Sequence, residues 1–155
     1  MSRIKLTELA QIAEIIAAVA VVVSLIYLGT EVQSNTSAVQ GAAMQAVATS
    51  DADALLTIAS DPTFSEIVRL GHLDPTQLTP ADAFRYLLFM RQFWLSMQNI
   101  YQQSALGLID PSVWHSYVSI ICTRWSSAGP RETWSDHADL LDPAFVAVVE
   151  GCERS

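Results

Sequence analysis

The amino-acid sequence predicts an all-α protein in which an N-terminal transmembrane helix precedes a small extracytoplasmic helical bundle. The residues from Leu9 to Leu28 include a single charged side chain, that of Glu14. The dipeptide Asp-Pro recurs along the rest of the chain at intervals that suit successive helix starts. No segment alternates apolar and polar residues in the manner of a half-buried strand.

The predicted transmembrane helix covers residues 9–32, and residues 1–8 form a short segment before it. An α-helix rises about 1.5 Å per residue, so about 20 apolar residues cross a hydrocarbon core of roughly 30 Å. Leu9–Leu28 supplies 20 mostly apolar residues. The carboxylate of Glu14 lies in the first third, where it can reach the membrane surface or a partner. Insertion in a bilayer is the favoured interpretation, and membrane lipid is the expected partner of this helix.

Basic residues predict the orientation of the span. Arg3 and Lys5 precede it, and no further lysine or arginine occurs before Arg69. Because positively charged flanks remain in the cytoplasm, the N-terminus is expected to be cytoplasmic and the bulk of the chain extracytoplasmic. Two alternatives remain open, a cleaved signal peptide and a buried helix of a soluble oligomer. The acidic residues Glu8 and Glu14 before the apolar centre disfavour the signal peptide.

Small side chains recur on one face of the predicted span. Their spacing alternates between three and four residues, and they are Ala10, Ala13, Ala17, Ala20 and Ser24. Small residues let helix backbones approach closely in lipid. This face predicts a helix-packing interface, either in a homo-oligomer or with a subunit of a membrane protein complex. The alternative is that alanine is simply frequent in this chain.

Length and charge limit what the rest of the chain can be. Residues 33–155 leave room for one small helical domain with a core of its own. The chain carries 16 acidic and 8 basic residues, which gives a net charge of −8. An acidic protein repels the phosphate backbone, so nucleic acid is not an expected partner.

Cys122 and Cys152 are the 2 cysteines of the chain. Both fall on the side of the membrane that is predicted to be oxidising, so a disulfide between them is one expectation. The alternative is two separate buried thiols, because free cysteine is among the most buried residue types. Neither cysteine has a second one at zinc-finger spacing, so zinc is not supported.

Proline follows aspartate or threonine at five points after the span, and this pairing predicts helix starts. The side chain at the N-cap accepts amide hydrogens of the first turn, where proline loses no hydrogen bond. At least four of the five are expected to begin helices: Asp61-Pro62, Asp74-Pro75, Thr79-Pro80, Asp110-Pro111 and Asp142-Pro143. An alanine-rich amphipathic helix is predicted at 38–59, followed by helices at 62–71, 80–106, 111–126, 131–139 and 143–152.

Other residues predict where helices end or bend. Polar residues at 31–37 would mark the membrane surface, and they either cap a new helix or bend a continuing one. Glycine is favoured at helix ends that need a left-handed residue. The glycines expected in such places are Gly71, Gly107, Gly129 and Gly151.

The helix predicted at 80–106 is apolar on most of its circumference, so it is expected to be surrounded by the others. Arg91 lies on its apolar side at helical spacing with Trp94 and Gln98. The favoured interpretation is a structural arginine that stacks on a ring or pairs with a carboxylate. The alternative is a ligand pocket for an anion, formed by these residues together with Trp114.

No combination of residues points to catalysis. The histidines are His72, His115 and His137, and none belongs to a metal-binding pattern such as H-E-x-x-H. Nucleotide-binding glycine loops and the G-x-S-x-G elbow do not occur. No enzymatic activity, metal or cofactor is therefore expected. The sequence predicts a membrane-anchored interaction or accessory subunit, and the alternative is a ligand-binding or sensory bundle with a pocket near Arg91.

Two blocks of the chain carry a resemblance, LIYLGTEVQSNTSAV and FWLSMQNIYQQSALGLIDPSVW. Over about residues 10–148, the chain resembles an uncharacterised bacterial family of small single-pass helical membrane proteins. The resemblance implies a small helical protein of bacterial membranes, and it implies no activity and no functional residues. Combined with the orientation of the span, it predicts a protein of the inner membrane with its bulk in the periplasm.

Overall fold

A computed structural model describes residues 6–154, and every regular element in that range is a helix. The all-α prediction is confirmed for this part of the chain. The predicted cytoplasmic segment lies largely outside the described residues, and so do Arg3 and Lys5, which predict the orientation. The α-helices are α1 Leu6–Ser60, α2 Pro62–Leu73, α3 Pro80–Ala105, α4 Pro111–Trp125, α5 Ala128–Glu132, α6 Ser135–Ala138 and α7 Pro143–Gly151. Two 3-10 helices, Pro75–Gln77 and Cys152–Arg154, complete the described fold.

The chain divides into two compact units within helix α1. One ends at Gly41 and is called the span unit here, and the other begins at Ala42 and is called the bundle unit. The predicted transmembrane helix, residues 9–32, lies within the span unit. The polar residues after the span neither cap a new helix nor end α1. The Thr36 hydroxyl donates to the Val32 carbonyl at 2.9 Å, which satisfies it within the helix.

The described side chains of the span unit are all exposed, from Glu8 to Gly41. Its large apolar residues between Leu9 and Val32 are 50–68% exposed. The most apolar window of α1 has a mean hydropathy of 2.4, and none of it is buried. Among the described residues, α1 is the one helix long and apolar enough to cross a membrane.

The helices of the bundle unit begin where the proline dipeptides predict. Asp61, Thr79, Asp110 and Asp142 are N-caps of α-helices, and each accepts an amide hydrogen of the first turn. Asp74 caps the 3-10 helix Pro75–Gln77 rather than an α-helix. Hydrogen bonds from the Thr76 hydroxyl and the Gln77 side chain lower the pKa of the Asp74 carboxyl group. Hydrogen bonds from the Ser112 hydroxyl and amide lower the pKa of the Asp110 carboxyl group.

Glycine has two different roles in the bundle unit. Gly107 follows α3 with φ of 72°, the left-handed conformation predicted for a helix end. Gly71 and Gly129 instead lie inside α2 and α5, where the backbones of the two helices approach closely. A Cβ atom on Gly129 would lie 1.8 Å from the Gly71 carbonyl oxygen. The expectation of a left-handed conformation is wrong for Gly71 and Gly129, because both lie within helices, and for Gly151, where α7 runs directly into a 3-10 helix. Close packing of α2 on α5 is what requires glycine at positions 71 and 129.

The core of the bundle unit lies along one face of α3. Its fully covered residues include Trp94, Met90 and Tyr86, packed with Ile121 of α4 and Phe145 of α7. The prediction that other helices surround α3 is wrong for its opposite face. On that face, Phe84 is 61%, Leu88 49% and Leu95 45% exposed. The helices that follow α4 contain only 5, 4 and 9 residues, too few to enclose a helix of 26 residues. Two of these short helices replace the single one predicted at 131–139.

Candidate functional site

The two cysteines are joined in the bundle unit. Cys122 of α4 and Cys152, directly after α7, form a disulfide with their Cα atoms 5.1 Å apart. The bond fastens the last described helical segment to α4. Of the two alternatives from the sequence, the structure contains the disulfide.

The four residues predicted to form a ligand pocket do not surround one cavity. Trp94 is fully buried, with its ring centroid 4.9 Å from that of Trp134. The Gln98 side-chain carbonyl accepts the amide hydrogen of Asp142 at 2.5 Å. Trp114 packs on Tyr101 with ring centroids 5.5 Å apart. Arg91 is exposed. Three of the four thus have structural contacts, and Arg91 belongs to the outer face of α3.

The five small residues of the span lie on one exposed face of α1. They follow one another at helical spacing, and each is exposed: Ala10, Ala13, Ala17, Ala20 and Ser24. The Ser24 hydroxyl donates to the Ala20 carbonyl at 2.8 Å. This face is available to another helix, and its one polar side chain is already satisfied.

A groove of ≈ 1380 Å³ runs along the bundle unit between α1 and α3. One wall is the α1 segment from Ala42 to Ser60, where small residues such as Ala46 keep the groove open. Phe64 of α2 and Phe89 of α3 line it as an edge-to-face pair with centroids 5.9 Å apart. The groove is therefore long, open and apolar along the aromatic pair.

The charges of the groove are separated between its walls. Asp53 and Asp61 lie on the side of α1 and the start of α2, whereas Arg85 lies on α3. The Asp61 carboxylate caps α2, accepting from the amides of Thr63 and Phe64. Arg85 approaches Asp82 of its own helix at 3.9 Å, with 61% of its side chain exposed. No ion pair between described residues joins the two walls.

The outer face of α3 continues the groove as an apolar ridge, formed by Phe84, Leu88 and Leu95. Beside it lies a shallow depression of ≈ 360 Å³, lined by Leu88, Leu95 and Arg91, among others. Leu88 also lines the groove, so the ridge and the groove form one surface. The sequence assigned these leucines to the core because helical periodicity indicates an apolar face without indicating what covers it.

A partly buried polar contact joins α2 to α4. His72 Nδ1 lies 2.8 Å from the Val68 carbonyl oxygen, and its Nε2 lies 3.0 Å from Arg124 Nη1. A carbonyl only accepts, so Nδ1 carries the proton and Nε2 accepts from the guanidinium. Burial lowers the pKa of His72, and the charge of Arg124 acts in the same direction. Because it links α2 to α4, this contact has the character of a structural hydrogen bond.

The α1 segment of the bundle unit is held by a second polar contact. The Tyr117 hydroxyl of α4 donates to the Asp51 carboxylate at 2.5 Å. Burial is the larger cause and this hydrogen bond the next, and together they raise the pKa of Tyr117 to about 12.

Within residues 6–154, no group of three or more histidine, cysteine, aspartate or glutamate residues could hold a metal ion.

No known protein family, characterised protein or solved structure matches this chain. The bacterial family indicated by the two sequence blocks therefore stays a prediction. Two exposed apolar surfaces of the described chain bear on function, one on the span and one formed by the groove and the ridge.

Proposed function

We propose that this protein is a membrane-anchored interaction subunit without catalytic activity. It crosses the bacterial inner membrane once, with a cytoplasmic N-terminus and a periplasmic bundle unit. It associates with itself or with a larger membrane complex. The observation that carries this proposal is the complete exposure of the apolar residues of the span.

An apolar environment outside the chain accounts for this exposure. Fully burying one large aliphatic side chain contributes about 1.5–3 kcal/mol, and the span exposes many of them. A core helix of this chain would be covered by its neighbours, whereas α1 up to Gly41 is not. Ser24 also suits lipid, since its hydroxyl bonds to a carbonyl of its own helix.

The disulfide supports a periplasmic location for the bundle unit. Disulfides persist in oxidising compartments, which include the bacterial periplasm, and are rare in the cytosol. Cys122 and Cys152 are both in the bundle unit and are joined. The same orientation is predicted by Arg3 and Lys5 through the retention of basic flanks in the cytoplasm.

The proposal is tested by membrane fractionation with protease protection in spheroplasts and intact mass measurement. We expect a chain of full mass that resists alkaline extraction and whose bundle unit is digested from outside. Val22→Arg places a charge in the span, which disfavours insertion by about 2.5–3.5 kcal/mol, and should release protein from the membrane. Ala48→Arg, in the bundle unit, is the matched control. A soluble chain, or one that lacks about 30 N-terminal residues as expected for a cleaved signal, would contradict the proposal.

The small residues of the span are the expected helix-packing interface within the membrane. Replacing Ala13, Ala17 and Ala20 with leucine would hold neighbouring backbones apart. We expect this triple variant to associate less in detergent than the unaltered chain. Ile12→Leu and Ile16→Leu add no bulk and serve as controls.

The size of the groove favours ligand binding as a second candidate function. Small-molecule sites commonly occupy about 300–1,000 Å³, and the groove volume of ≈ 1380 Å³ is sufficient for one. Among the described residues, Arg85 is the one cation that lines the groove, so an amphiphile with an anionic head suits it. Such a ligand should raise the melting temperature of the unaltered protein and leave that of Arg85→Ala unchanged.

A further inference from the structure

We propose that the groove and the ridge of the bundle unit form a self-complementary surface for a second copy of this chain. The ridge of each copy, Phe84, Leu88 and Leu95, occupies the groove of the other around a two-fold axis. This inference rests on the proposed interaction function, because it names the partner that the bundle unit contacts.

The first argument is the apolar surface that the ridge leaves uncovered. Phe84, Leu88 and Leu95 follow one another at helical spacing on the outer face of α3 and are 61%, 49% and 45% exposed. Single exposed apolar residues are ordinary, but three on one helix face beside an apolar groove are typical of an interaction site. Leu88 belongs to both features, so a partner that covers one also covers the other.

The second argument is the arrangement of charge on this surface. Asp53 and Asp61 lie on one side of the groove, and Arg85 and Arg91 lie on α3. In a two-fold interface, residue i meets residue j and residue j meets residue i. The acidic wall of each copy can therefore meet the arginines of the other, which gives two equivalent sets of opposite charges.

With a net charge of −8, two copies of this chain repel each other overall, so an interface between them needs basic side chains that face acidic ones. Arg85 and Arg91 are two of only 8 basic residues in the chain, and both lie at the ridge. On this surface, the basic side chains of one acidic copy can meet the acidic side chains of the other.

The third argument is length. At about 1.5 Å per residue, the groove wall at 42–60 extends about 27 Å and the ridge at 84–95 about 17 Å. The ridge is thus short enough to lie within the groove. Anchoring both copies in one membrane raises their effective concentration, so a modest interface suffices for association.

A charge-swap experiment with two differently tagged full-length chains tests the inference. Asp53 is the suitable acidic position because its carboxylate has no partner among the described residues, whereas Asp61 caps α2. We expect Asp53→Arg and Arg85→Asp each to weaken self-association about tenfold in nanodiscs of neutral lipid. Mixing the two variants should restore association to within about threefold of the unaltered chain, because each new charge then meets its opposite. Asp139→Arg, at an exposed position outside the groove, is the matched control.

A second pair of variants tests the ridge itself. Leu88→Ser should weaken self-association, whereas Leu140→Ser, at a residue that is 59% exposed between α6 and α7, should not. Circular dichroism and thermal unfolding of every variant verify that the bundle unit is folded.

The outcomes separate this inference from the proposed function. Self-association that is unaffected by Asp53→Arg, Arg85→Asp and Leu88→Ser overturns the inference, and so does a monomeric unaltered chain. In both cases, a chain that still resists alkaline extraction leaves the anchored interaction function standing. A groove occupied by lipid or by a helix of a different protein would also leave self-association insensitive to these substitutions. Loss of association in each single variant, with recovery in the mixture, supports the second copy as the occupant.

Discussion

The span unit and the bundle unit share helix α1 but differ in how the chain covers its apolar residues. Every described side chain of the span unit is exposed, including leucine, isoleucine and valine residues throughout the apolar stretch. In the bundle unit, Val47 of the same helix is 5% exposed and belongs to a core with Trp94 and Phe145. The bundle unit therefore obtains an apolar environment from its own chain, whereas the span unit requires one from outside.

The hydrogen bonds of polar side chains also differ between the two units. In the span unit, the hydroxyls of Ser24, Thr30 and Thr36 donate to carbonyls of their own helix. In the bundle unit, Tyr117 and Asp51 form a hydrogen bond between helices 66 residues apart in sequence. Contacts between distant residues define a tertiary fold, and local contacts suit a helix that stands alone in lipid. Substitutions in the bundle core should hence alter its unfolding without altering membrane retention.

The largest expected effect is that of Trp94→Ala. Trp94 is fully buried and contacts the rings of Phe93, Trp125 and Trp134. Removing a buried aromatic ring leaves a cavity and lowers the free energy of unfolding by about 3–5 kcal/mol. Urea unfolding in detergent, followed by tryptophan fluorescence, measures this effect for the bundle unit alone, because all 4 tryptophans lie after Ala42.

The membrane fraction provides the matched measurement for Trp94→Ala. Because the span unit contributes nothing to this core, alkaline extraction should retain the variant as well as the unaltered chain. Leu106→Ala, at an exposed residue, is the control for stability. Equal loss of membrane retention and stability would show that the two units do not fold independently.

Loss of the disulfide is expected to have the next largest effect. The loop that it closes spans 30 residues, for which chain entropy gives a stabilisation of about 3–4 kcal/mol. Cys122→Ser with Cys152→Ser should lower the free energy of unfolding of the bundle unit by this order. A reductant should destabilise the unaltered protein similarly and have no effect on the double variant. Unchanged stability on reduction would show that the bond does not constrain the unfolded chain.

Gly129→Ala should destabilise the bundle unit through overpacking, and by less than the loss of the disulfide. An added Cβ would lie 1.8 Å from the Gly71 carbonyl oxygen and 2.7 Å from the Tyr86 hydroxyl oxygen. Separating α2 from α5 is expected to lower the free energy of unfolding by about 1–3 kcal/mol. Gly151→Ala is the matched control, since nothing lies within 4 Å of its Cβ position. Similar unfolding midpoints for the two variants would contradict the close approach of α2 and α5.

The features that could be predicted from the sequence depend on neighbouring residues. An aspartate before proline satisfies first-turn amides in almost any tertiary setting, so Asp61, Asp110 and Asp142 were identifiable as helix starts. The apolar span is likewise a property of one continuous segment. Gly107 also follows local rules, because it ends α3 in the left-handed conformation.

The features that the sequence did not predict depend on which helices meet. In the sequence, Gly71 looks like Gly107, because both are glycines near a predicted helix end. Only the close approach of Gly71 to Gly129 and Tyr86 shows that its role is in helix packing. The apolar face with Leu88 and Leu95 was assigned to the core because periodicity cannot distinguish a partner in the same chain from one outside it. The groove combines α1, α2 and α3, so no single segment carries a signal for it.

The smallest expected effect is a pH dependence that belongs to the bundle unit. His72 is neutral in the folded state, where Nδ1 donates to Val68 and Nε2 accepts from Arg124. Burial holds its pKa below the unfolded value, which is about 6.5. Its contribution to stability is therefore fully present above pH ~6.5 and is lost as the pH falls through the lower pKa of the folded state.

His72→Asn should make the free energy of unfolding less dependent on pH below about 6.5. A smaller dependence should remain, because burial also lowers the pKa of His137. The control is His115→Asn, the same substitution at an exposed histidine. If His72→Asn retained the same slope, the contact with Arg124 would not select the neutral imidazole. Because both buried histidines lie in the bundle unit, membrane retention should stay constant over the same pH range, which separates the two units once more.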